Sequence, residues 1–275
     1  AQEGYEVVIA TEWKDAVEYE QDPRVRRVIV GPEGEEEKKG RIAKILLRYS
    51  KLRRFVKEER PDVLIAFGRK ANYRALTATL LMKQKVVVCV RTDPVSHYDR
   101  PADQIQIPLL FRRASGFVFQ TTGQRDFFPP FVQKNSTIIL NPVNPKYLGL
   151  PKPEKRKKEV VHSGRLVDFK NHPLLIRAFC RVHEKHPDYA LKLYGADSGD
   201  GTRQIIEALI EERHAGEWVK LMGGSDELEK LLPDAAVYAF SADWEGLPKG
   251  VLEAVAMGIP TVATDCPCGG AATVI

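Results

Sequence analysis

Two basic residues stand in a segment whose chemistry suits the binding of an anion. Arg165 and Lys170 lie in Ser163-Gly-Arg-Leu-Val-Asp-Phe-Lys-Asn171, which follows a β-branched run and precedes a helical pattern. Cations at the carboxyl end of a strand, beside the N-terminus of a helix, make a pocket for phosphate oxygens. Arg165 can hold two oxygens with its planar fork, and Lys170 adds a mobile point charge. The same spacing also fits a solvated loop with two ordinary surface cations.

Two carboxylates form a second cluster. Asp243-Trp-Glu-Gly-Leu-Pro248 is followed directly by Lys249-Gly-Val-Leu-Glu-Ala254. Because proline suits a first helical turn, we expect Glu245 at the entrance of a helix and Glu253 inside it, about 10 Å apart along the axis on roughly one side. Such a pair can bind hydroxyl groups at two points of an elongated ligand, while N–H groups at the helix start receive anions. Alternatively, Glu245 caps the helix and Glu253 is a surface residue.

A glycine-rich turn, Ala263-Thr-Asp-Cys-Pro-Cys-Gly-Gly270, forms the third cluster. Its adjacent glycines allow a close approach of the backbone to a ligand. Cys266 and Cys268 have C-x-C spacing without a second pair, so we expect buried thiols rather than a metal site. The chain has 4 cysteines in all, too few for a disulfide framework in 275 residues, and reduced cytosolic thiols are the simpler interpretation.

The elements that position these clusters alternate between strands and helices. The β-branched runs are continuous, which is typical of parallel strands covered on both faces. Apolar residues at helical spacing predict helices over Arg41–Arg60 and His172–His186. The pattern indicates an α/β chain of right-handed βαβ units. The predicted strands are Tyr5–Ala10, Val25–Val30, Asp62–Phe67, Val86–Val90, Gly116–Gln120, Thr137–Leu140, Glu159–His162, Ala190–Tyr194, Trp218–Met222, Ala236–Phe240 and Thr261–Thr264.

So many strands in two blocks favour two Rossmann-like domains over one open sheet. Prolines and lysines between Asn141 and Lys158 suggest a hinge, which predicts domains at residues 1–148 and 149–275. The alternative is a surface loop inside one large domain. Each predicted domain lacks expected pieces: the first strand and its glycine loop at one end, and the last covering helices at the other.

Composition excludes several classes of protein. The 275 residues carry a net charge of +5, with 43% hydrophobic and 29% charged residues, as in an ordinary folded chain. No apolar run approaches the length of a membrane-spanning helix, and no signal peptide opens the sequence, so we expect a cytoplasmic protein. Zinc-finger spacing and basic residues interleaved with aromatic ones are missing, so we expect no nucleic-acid partner.

Taken together, the three clusters resemble a known family. In order and spacing they are similar to the retaining glycosyltransferases of the GT-B fold called "glycosyl transferases group 1" (family 4), in which two Rossmann-like domains face a cleft. The resemblance is strong from about Glu159 to the end and weaker before it. Gln120-Thr-Thr122 and Asn141-Pro-Val143 are similar to a strand end and a hinge of the family. The other matching residues are Ser163–Leu166, Lys170-Asn171, Leu193–Gly195, Leu221–Gly223, Glu245–Pro248, Glu253-Ala254 and Pro260–Asp265.

This resemblance implies a donor site for a nucleotide-sugar. Arg165 and Lys170 would neutralise the donor diphosphate, and Glu253 would bind the ribose hydroxyls. Gly223 and its neighbours in Leu221–Ser225 would border the base. UDP is the most frequent nucleotide in the family, although the residues do not distinguish it from GDP or ADP. Gly164 would join the donor site through its motif.

The resemblance also implies a reaction. Glu245, with the N–H groups of Gly246 and Leu247, would contact the donor hexose, and Pro248 completes their motif. Transfer would proceed by front-face displacement with retention, and the leaving diphosphate would assist deprotonation of the acceptor. No metal or other cofactor is expected, because the sequence has no DxD motif at a strand end and fixed positive charge with helix-end dipoles can stabilise the diphosphate.

The acceptor side is less well defined. The family's acceptors would be glycans or lipid-linked saccharides, in the assembly of surface polysaccharide. Asp93, ahead of His97, would be the polar residue near the transferred sugar, unless Asp93-Pro94 is only a turn. The basic helix Arg41–Arg60 is either a solvated face or a docking face for an anionic bilayer, which would make the protein peripheral to a membrane.

Two other functions compete with a hexosyltransferase. One is a non-catalytic fragment or engineered scaffold that binds nucleotide-sugars, which the missing end pieces favour. Lys249 and Gly250 also depart from the family, where a small or amide residue often follows the Glu-Gly-Leu-Pro motif. The other is an NAD-dependent oxidoreductase, which requires a G-x-G-x-x-G after a strand, and the sequence has none.

Overall fold

Strands and helices alternate along the computed structural model, which describes residues 3–14 and 21–275. All of the predicted strands are present, with ends that shift by a few residues. The strands are β1 Val8–Thr11, β2 Arg26–Ile29, β3 Val63–Phe67, β4 Lys85–Cys89, β5 Gly116–Phe119, β6 Ser136–Ile138, β7 Lys157–Ser163, β8 Ala190–Tyr194, β9 Val219–Gly223, β10 Ala235–Phe240 and β11 Thr261–Ala263.

Ten α-helices connect these strands in the described residues. Short 3₁₀ helices lie at Gly34–Lys38, Phe111–Arg113, Pro145–Tyr147 and Asp168–Lys170. The α-helices are α1 Arg41–Glu59, α2 Arg69–Ala78, α3 Pro94–Tyr98, α4 Pro101–Leu110, α5 Thr122–Asp126, α6 Pro130–Gln133, α7 His172–His183, α8 Thr202–Glu212, α9 Leu228–Leu231 and α10 Lys249–Ala256.

The chain divides into two units. One contains the described residues up to Cys89 together with Pro101–Phe117, and the other contains Val90–Arg100 and Val118–Ile275. The predicted domain division at residue 148 stays a prediction. The strands form three sheets, with orders β1-β2, β3-β4-β5-β6 and β11-β10-β7-β8-β9.

The five-stranded sheet belongs to the second unit and is parallel at every pairing. Its two faces are both covered, because successive residues of β7 point into different cores. Val160 packs in a cluster with Ile176 of α7 and Ile206 of α8, whereas Val161 packs with Val251 of α10. The register aligns Ser163 with Tyr194, so the carboxyl ends of β7 and β8 end side by side.

In the first unit, one face of β3 differs from the prediction. Leu64 packs with Val56 of α1 in a core cluster. Val63, Ile65 and Phe67 point the other way and are 43 to 58% exposed. The expectation that every strand is covered on both faces is therefore wrong for β3, because the described residues leave the face with Val63, Ile65 and Phe67 exposed.

The basic helix α1 ends one residue before its predicted end, with Arg60 in the left-handed region at φ +47°. Several of its cations are used inside the unit. Arg48 pairs with Glu12 at 2.9 Å, and Lys51 pairs with Glu36 at 2.5 Å. The helix therefore does not present one continuous free basic face.

Candidate functional site

Three glycines at the carboxyl ends of β7, β8 and β9 bring their loops into contact. The N–H of Gly164 donates to the carbonyl of Tyr194 at 2.9 Å, and the N–H of Gly195 donates to Gly223 at 2.8 Å. A Cβ on Gly195 would lie 2.0 Å from the carbonyl oxygen of Gly164, and Gly223 has a φ of +74°. A side chain on Gly195 would therefore separate the loops, whereas Gly223 is favoured by its left-handed backbone conformation.

Lys170 and Glu245 meet above this edge. The Lys170 ammonium lies 3.4 Å from Oε2 of Glu245, and the two side chains are 13% and 22% exposed. Lys170 closes a 3₁₀ turn after Gly164, and the hydroxyl of Ser241 donates to its carbonyl at 2.9 Å. Two residues that are 75 positions apart in the sequence are thereby held together in one polar site.

Besides Glu245, aromatic and imidazole side chains lie around Lys170. Its ammonium lies 4.9 Å from the centre of the Phe240 ring. Below it, His162 and His172 are buried with their rings 4.9 Å apart. Burial lowers the pKa of His162 to about 3 and that of His172 to about 4, and the nearby Lys170 charge acts in the same direction. Both imidazoles are therefore neutral at physiological pH, and they add no competing positive charge.

Arg165 is exposed on the same loop, directly after Gly164. In residues 3–14 and 21–275 its guanidinium has no hydrogen-bonding or ionic partner, and the structure does not bring it against Lys170 or Glu245. All of its donors are available to an anion that enters from solvent.

The start of α10 packs against the end of β7 through Gly250, which the sequence analysis noted only as a departure from the family. A Cβ on Gly250 would lie 2.3 Å from the Tyr238 hydroxyl and 2.9 Å from the carbonyl oxygen of Ser163. Tyr238, whose pKa burial raises to about 12, donates to that carbonyl at 3.1 Å. Gly250 therefore lets the helix N-terminus approach the Ser163–Gly164 loop.

The predicted position of Pro248 in the helix is wrong by one residue. Pro248 is the N-cap, with ψ at 117°, and α10 begins at Lys249. Glu245 consequently lies in the preceding loop rather than on the helix, so helical spacing does not relate it to Glu253. The prediction fails because proline also fits the extended N-cap conformation, and its fixed φ does not separate the two positions.

Glu253 is a half-buried residue in the middle of α10. Burial raises the pKa of its carboxyl, and the positive charges of Lys249 and Lys146 partly oppose that effect. A carboxylate with this degree of burial gains from hydrogen-bond donors such as hydroxyl groups.

The loop that carries Glu245 is fixed by buried amides. A Cβ on Gly246 would lie 2.7 Å from the carbonyl oxygen of Arg91 and within 3.0 Å of the Gln120 and Gln124 amides. Asn141 donates from Nδ2 to the carbonyl of Leu247 at 2.9 Å. The backbone of this loop is thus held in place before any ligand binds.

The glycine-rich turn supports the same loop. A Cβ on Gly270 would lie 1.9 Å from the carbonyl oxygen of Gly246, so this glycine approaches the protein backbone rather than a ligand. Cys266 and Cys268 are buried free thiols, as predicted. The Cys268 thiol donates to the carbonyl of Glu245 at 2.7 Å, and burial raises its pKa to about 12.

Asp93 is the N-cap of α3. Its Oδ2 accepts hydrogen bonds from the N–H and the hydroxyl of Ser96 at 2.8 and 2.7 Å. Its buried Oδ1 has no hydrogen-bond partner in the described part of the chain. His97 lies edge-on to Trp244 at 5.2 Å between ring centres, which places this segment beside the Glu245 loop.

Sequence reasoning missed several residues that shape the site. Gln120 and Asn141 were noted only as a strand end and a hinge, and Gln124, Gly250, His162 and His172 were not given a role. Gln124 had a local signal, because Thr121-Thr-Gly-Gln124 has the T-x-x-Q pattern of a capping box. The other residues had none, because they act through contacts with residues that are distant in the sequence, as His162 does with the Ala239 carbonyl.

The described residues, 3–14 and 21–275, contain neither a metal-binding cluster nor a helix able to span a membrane. They hold no group of three or more histidine, cysteine or acidic side chains arranged around a common metal position. Across these same ranges, none of the helices combines the length and apolarity that crossing a bilayer requires.

Two family profiles match the chain. A profile described as "Glycosyl transferase 4-like domain" matches residues 1–139, and one described as "Glycosyl transferases group 1" matches residues 150–275. The first covers half of the chain. The chain therefore belongs to this glycosyltransferase family, and its parallel α/β sheets have the GT-B type of fold.

Relatives and solved structures agree with that assignment. An uncharacterized glycosyltransferase of Methanocaldococcus jannaschii is 28% identical over 82% of this chain and 61% of its own length. In Campylobacter jejuni, N-acetylgalactosamine-N,N'-diacetylbacillosaminyl-diphospho-undecaprenol 4-alpha-N-acetylgalactosaminyltransferase is 27% identical over 76% of this chain and 59% of its own length. The chain thus spans about three fifths of each relative.

The fold is similar to that of HepE from Anabaena, crystallised with UDP and glucose. The TM-score is 0.75 at 16% identity, and the match covers 92% of this chain and 70% of that one. At this identity the likeness shows the fold alone.

Proposed function

We propose that this chain carries the donor site of a retaining hexosyltransferase that uses a UDP-sugar and a glycan or lipid-linked acceptor. The observation that carries the proposal is the 3.4 Å contact of Lys170 with Glu245, at the edge where the Ser163–Gly164 loop meets the start of α10. A cation, a carboxylate and a helix N-terminus in one place are the groups that an anionic sugar donor requires.

The diphosphate would bind between the cations and the start of α10. Lys170 supplies a charge that is mostly shielded from water, and Arg165 supplies a fork that is free to move onto the ligand. The N-terminus of α10 adds the positive end of a helix dipole. Gly164 keeps the loop backbone open for the phosphate oxygens, since any side chain there would meet His162 and Lys170.

The hexose and the nucleoside would be bound on either side of the diphosphate. Glu245 and the N–H groups of Gly246 and Leu247 would contact the hexose, in a loop that Asn141 already fixes. Pro248 ends that loop and starts α10. Glu253 would accept hydrogen bonds from the ribose hydroxyls, and Gly223 would border the base at the end of β9.

Transfer would proceed on one face of the sugar. The bond from the anomeric carbon to the diphosphate oxygen breaks, and the acceptor oxygen forms its bond on that same face. The acceptor proton passes to the departing diphosphate. Negative charge accumulates on the diphosphate as the bond breaks, so Lys170 and Arg165 stabilise the transition state more than the bound donor. No metal is needed in this scheme.

The acceptor would approach from the side of Asp93. The unpartnered Oδ1 of Asp93 keeps its capacity to accept a hydrogen bond. The name of the Campylobacter jejuni relative contains a diphospho-undecaprenol acceptor, which supports a lipid-linked saccharide. We place the protein in the cytoplasm, peripheral to the membrane, in surface polysaccharide assembly, with domains at residues 1–148 and 149–275.

The experiment incubates the purified chain with UDP-hexoses and saccharide acceptors and follows the anomeric proton by NMR. An α-linked product from an α-linked UDP-sugar, formed equally well in EDTA, supports the proposal. Glu245→Gln should lose this transfer, whereas Glu217→Gln, an exposed glutamate outside the site, should keep it. Nucleotide binding without transfer or hydrolysis would contradict the catalytic proposal and favour a binding scaffold.

A further inference from the structure

One apolar residue of the first unit combines exposure with backbone strain. Leu81 follows α2, its side chain is 96% exposed, and its φ is +63°. A leucine rarely adopts the left-handed region, and an exposed side chain returns no packing energy to offset the strain. Leu80, beside it, is 38% exposed. We call residues 79–83 the Leu81 loop.

Two arginines hold the Leu81 loop in this conformation. Arg53 of α1 donates to the carbonyl of Ala78 at 2.7 Å and to that of Leu80 at 2.8 Å. Arg113 donates to the carbonyl of Thr79 at 3.0 Å. Met82 packs into the core beneath α1. The loop is therefore fixed at both ends, and the exposure of Leu81 is built into the fold rather than due to fraying.

Three cations lie beside the Leu81 loop. Lys57, Arg60 and Lys83 line one groove next to Met82. The acidic residues nearest to these cations in the sequence are Glu58, Glu59 and Asp62. Glu58 and Asp62 are exposed, and Glu59 is paired with Arg26. A protruding leucine with long cationic side chains on one side of its loop complements a surface that is apolar inside and anionic at its rim.

We infer that the Leu81 loop inserts into the headgroup region of an anionic bilayer, with Lys57, Arg60 and Lys83 against the lipid phosphates. A bilayer fits better than a protein partner. A stable protein interface needs roughly 800 Å² from each side, whereas this apolar tip consists of two leucines. Insertion also explains why the backbone strain at Leu81 is retained, because the left-handed conformation presents the Leu81 side chain outward.

This inference does not depend on the donor site. It also changes which part of α1 would face a membrane. Arg48 and Lys51, in the middle of the helix, are bound to glutamates of the same unit. The C-terminal end of α1, next to the Leu81 loop, keeps its cations at the surface.

The test is sedimentation of the intact chain with vesicles. Vesicles of equimolar phosphatidylglycerol and phosphatidylcholine should bind the protein, and added salt should weaken the binding. Pure phosphatidylcholine vesicles should bind it at least about tenfold less. Absence of binding to the anionic vesicles, or equal binding to both, would overturn the inference.

Two variants remove the contacts without straining the fold. Leu81→Asn should weaken vesicle binding about tenfold while thermal stability is kept or raised, because asparagine tolerates a positive φ. Arg60→Gly should weaken it about fivefold and also relieves a left-handed residue. His214→Gly, at φ +50° in the second unit, relieves similar strain and should leave binding unchanged.

Unchanged vesicle binding by a folded Leu81→Asn variant would overturn the inference. So would a concentration-dependent self-association of the wild-type chain that Leu81→Asn abolishes while vesicles bind neither protein, because the loop would then serve a protein contact. The assay contains no nucleotide, so its failure leaves the donor-site proposal standing.

Discussion

Lys51 and Lys170 are both shielded lysines beside a glutamate, but their coordination differs. Lys51 is 16% exposed, donates to the carbonyl of Gly31 at 2.9 Å and lies 2.5 Å from Glu36, with Glu33 at 3.8 Å. Lys170 is 13% exposed, and its one acceptor among the described residues is Glu245 at 3.4 Å. A lysine ammonium has three hydrogen-bond donors, so nearly all donors of Lys51 have an acceptor, whereas those of Lys170 do not.

The difference separates a structural cation from a cation available to a ligand. Lys51 ties α1 to the Gly34–Lys38 turn, and any ligand would have to displace several strong contacts. Lys170 rests against an aromatic ring and neutral histidines, and exchanging one long contact for a phosphate oxygen would strengthen its hydrogen bonding. Burial alone therefore does not distinguish the two lysines, whereas unfilled donor capacity does.

The largest expected effect is the loss of transfer rate in the Lys170→Ala variant. Removing a preorganised charge that meets the developing diphosphate should lower the transfer rate about 10²–10³-fold. Thermal stability should change little, since one weak ion pair is lost. Steady-state kinetics with a UDP-hexose measures the effect, and Lys185→Ala, an exposed lysine, is the control. A loss of transfer rate below threefold would mean that Lys170 is a structural cation, like Lys51.

The neutral histidines beside Lys170 predict a dependence of stability on pH. The pKa values of His162 and His172 are about 3 and 4 in the folded chain, below the ordinary value near 6.5. The unfolded chain takes up these protons first, so stability is full above about pH 6.5 and falls as pH drops toward 4. Each histidine should change the folding equilibrium by up to about tenfold per pH unit.

Urea unfolding between pH 7 and pH 4 measures this dependence. His172→Phe removes one titrating group at a site where neither ring nitrogen has a partner in the described structure, and the slope should become shallower. An identical slope in the variant would show that other groups control the pH dependence.

Lys51→Ala should affect stability and not the donor site. Its loss leaves Glu36 and the Gly31 carbonyl without their cation, which should cost about 1–2 kcal/mol. Chemical denaturation measures the change, and UDP affinity, measured in parallel, should stay the same. A fall in UDP affinity with stability intact would reverse the roles assigned to the two lysines.

The smallest expected effect is a gain in UDP affinity. Glu245→Gln removes the charge that competes with phosphate for Lys170, so UDP should bind about threefold more tightly at low salt. Calorimetric titration measures it, with Glu217→Gln as the control. Weaker UDP binding by the Glu245→Gln variant would mean that Glu245 positions Lys170 rather than competing for it.

The strands, including those of the five-stranded sheet, could be predicted because their sequence patterns are local. A continuous apolar run such as Val160-Val161 predicts a strand that is buried on both faces, provided that helices pack on both faces of its sheet. The exposed face of β3 could not be predicted, since Ile65 and Phe67 have the same local pattern as buried strand residues. The sequence cannot state which helices pack where.

One short motif was enough to propose a candidate residue, as for Lys170 and Glu245, whereas residues that join the candidate site through distant contacts could not be proposed. Gly250 is a poor helix residue by propensity, and only the structure shows that a Cβ there would collide with the Tyr238 hydroxyl. Pro248 fits the N-cap and the first turn equally well. The left-handed conformation of Leu81 has no sequence signal, because a bulky residue such as leucine rarely adopts it.

The most direct measurement compares the binding of UDP and of uridine, since the two differ only in the diphosphate. Calorimetry on the wild-type chain should show a strong preference for UDP. In the double variant Arg165→Ala/Lys170→Ala, that preference should fall by at least about tenfold while uridine affinity is kept. An undiminished preference for UDP in the double variant would show that the diphosphate does not bind at these two cations.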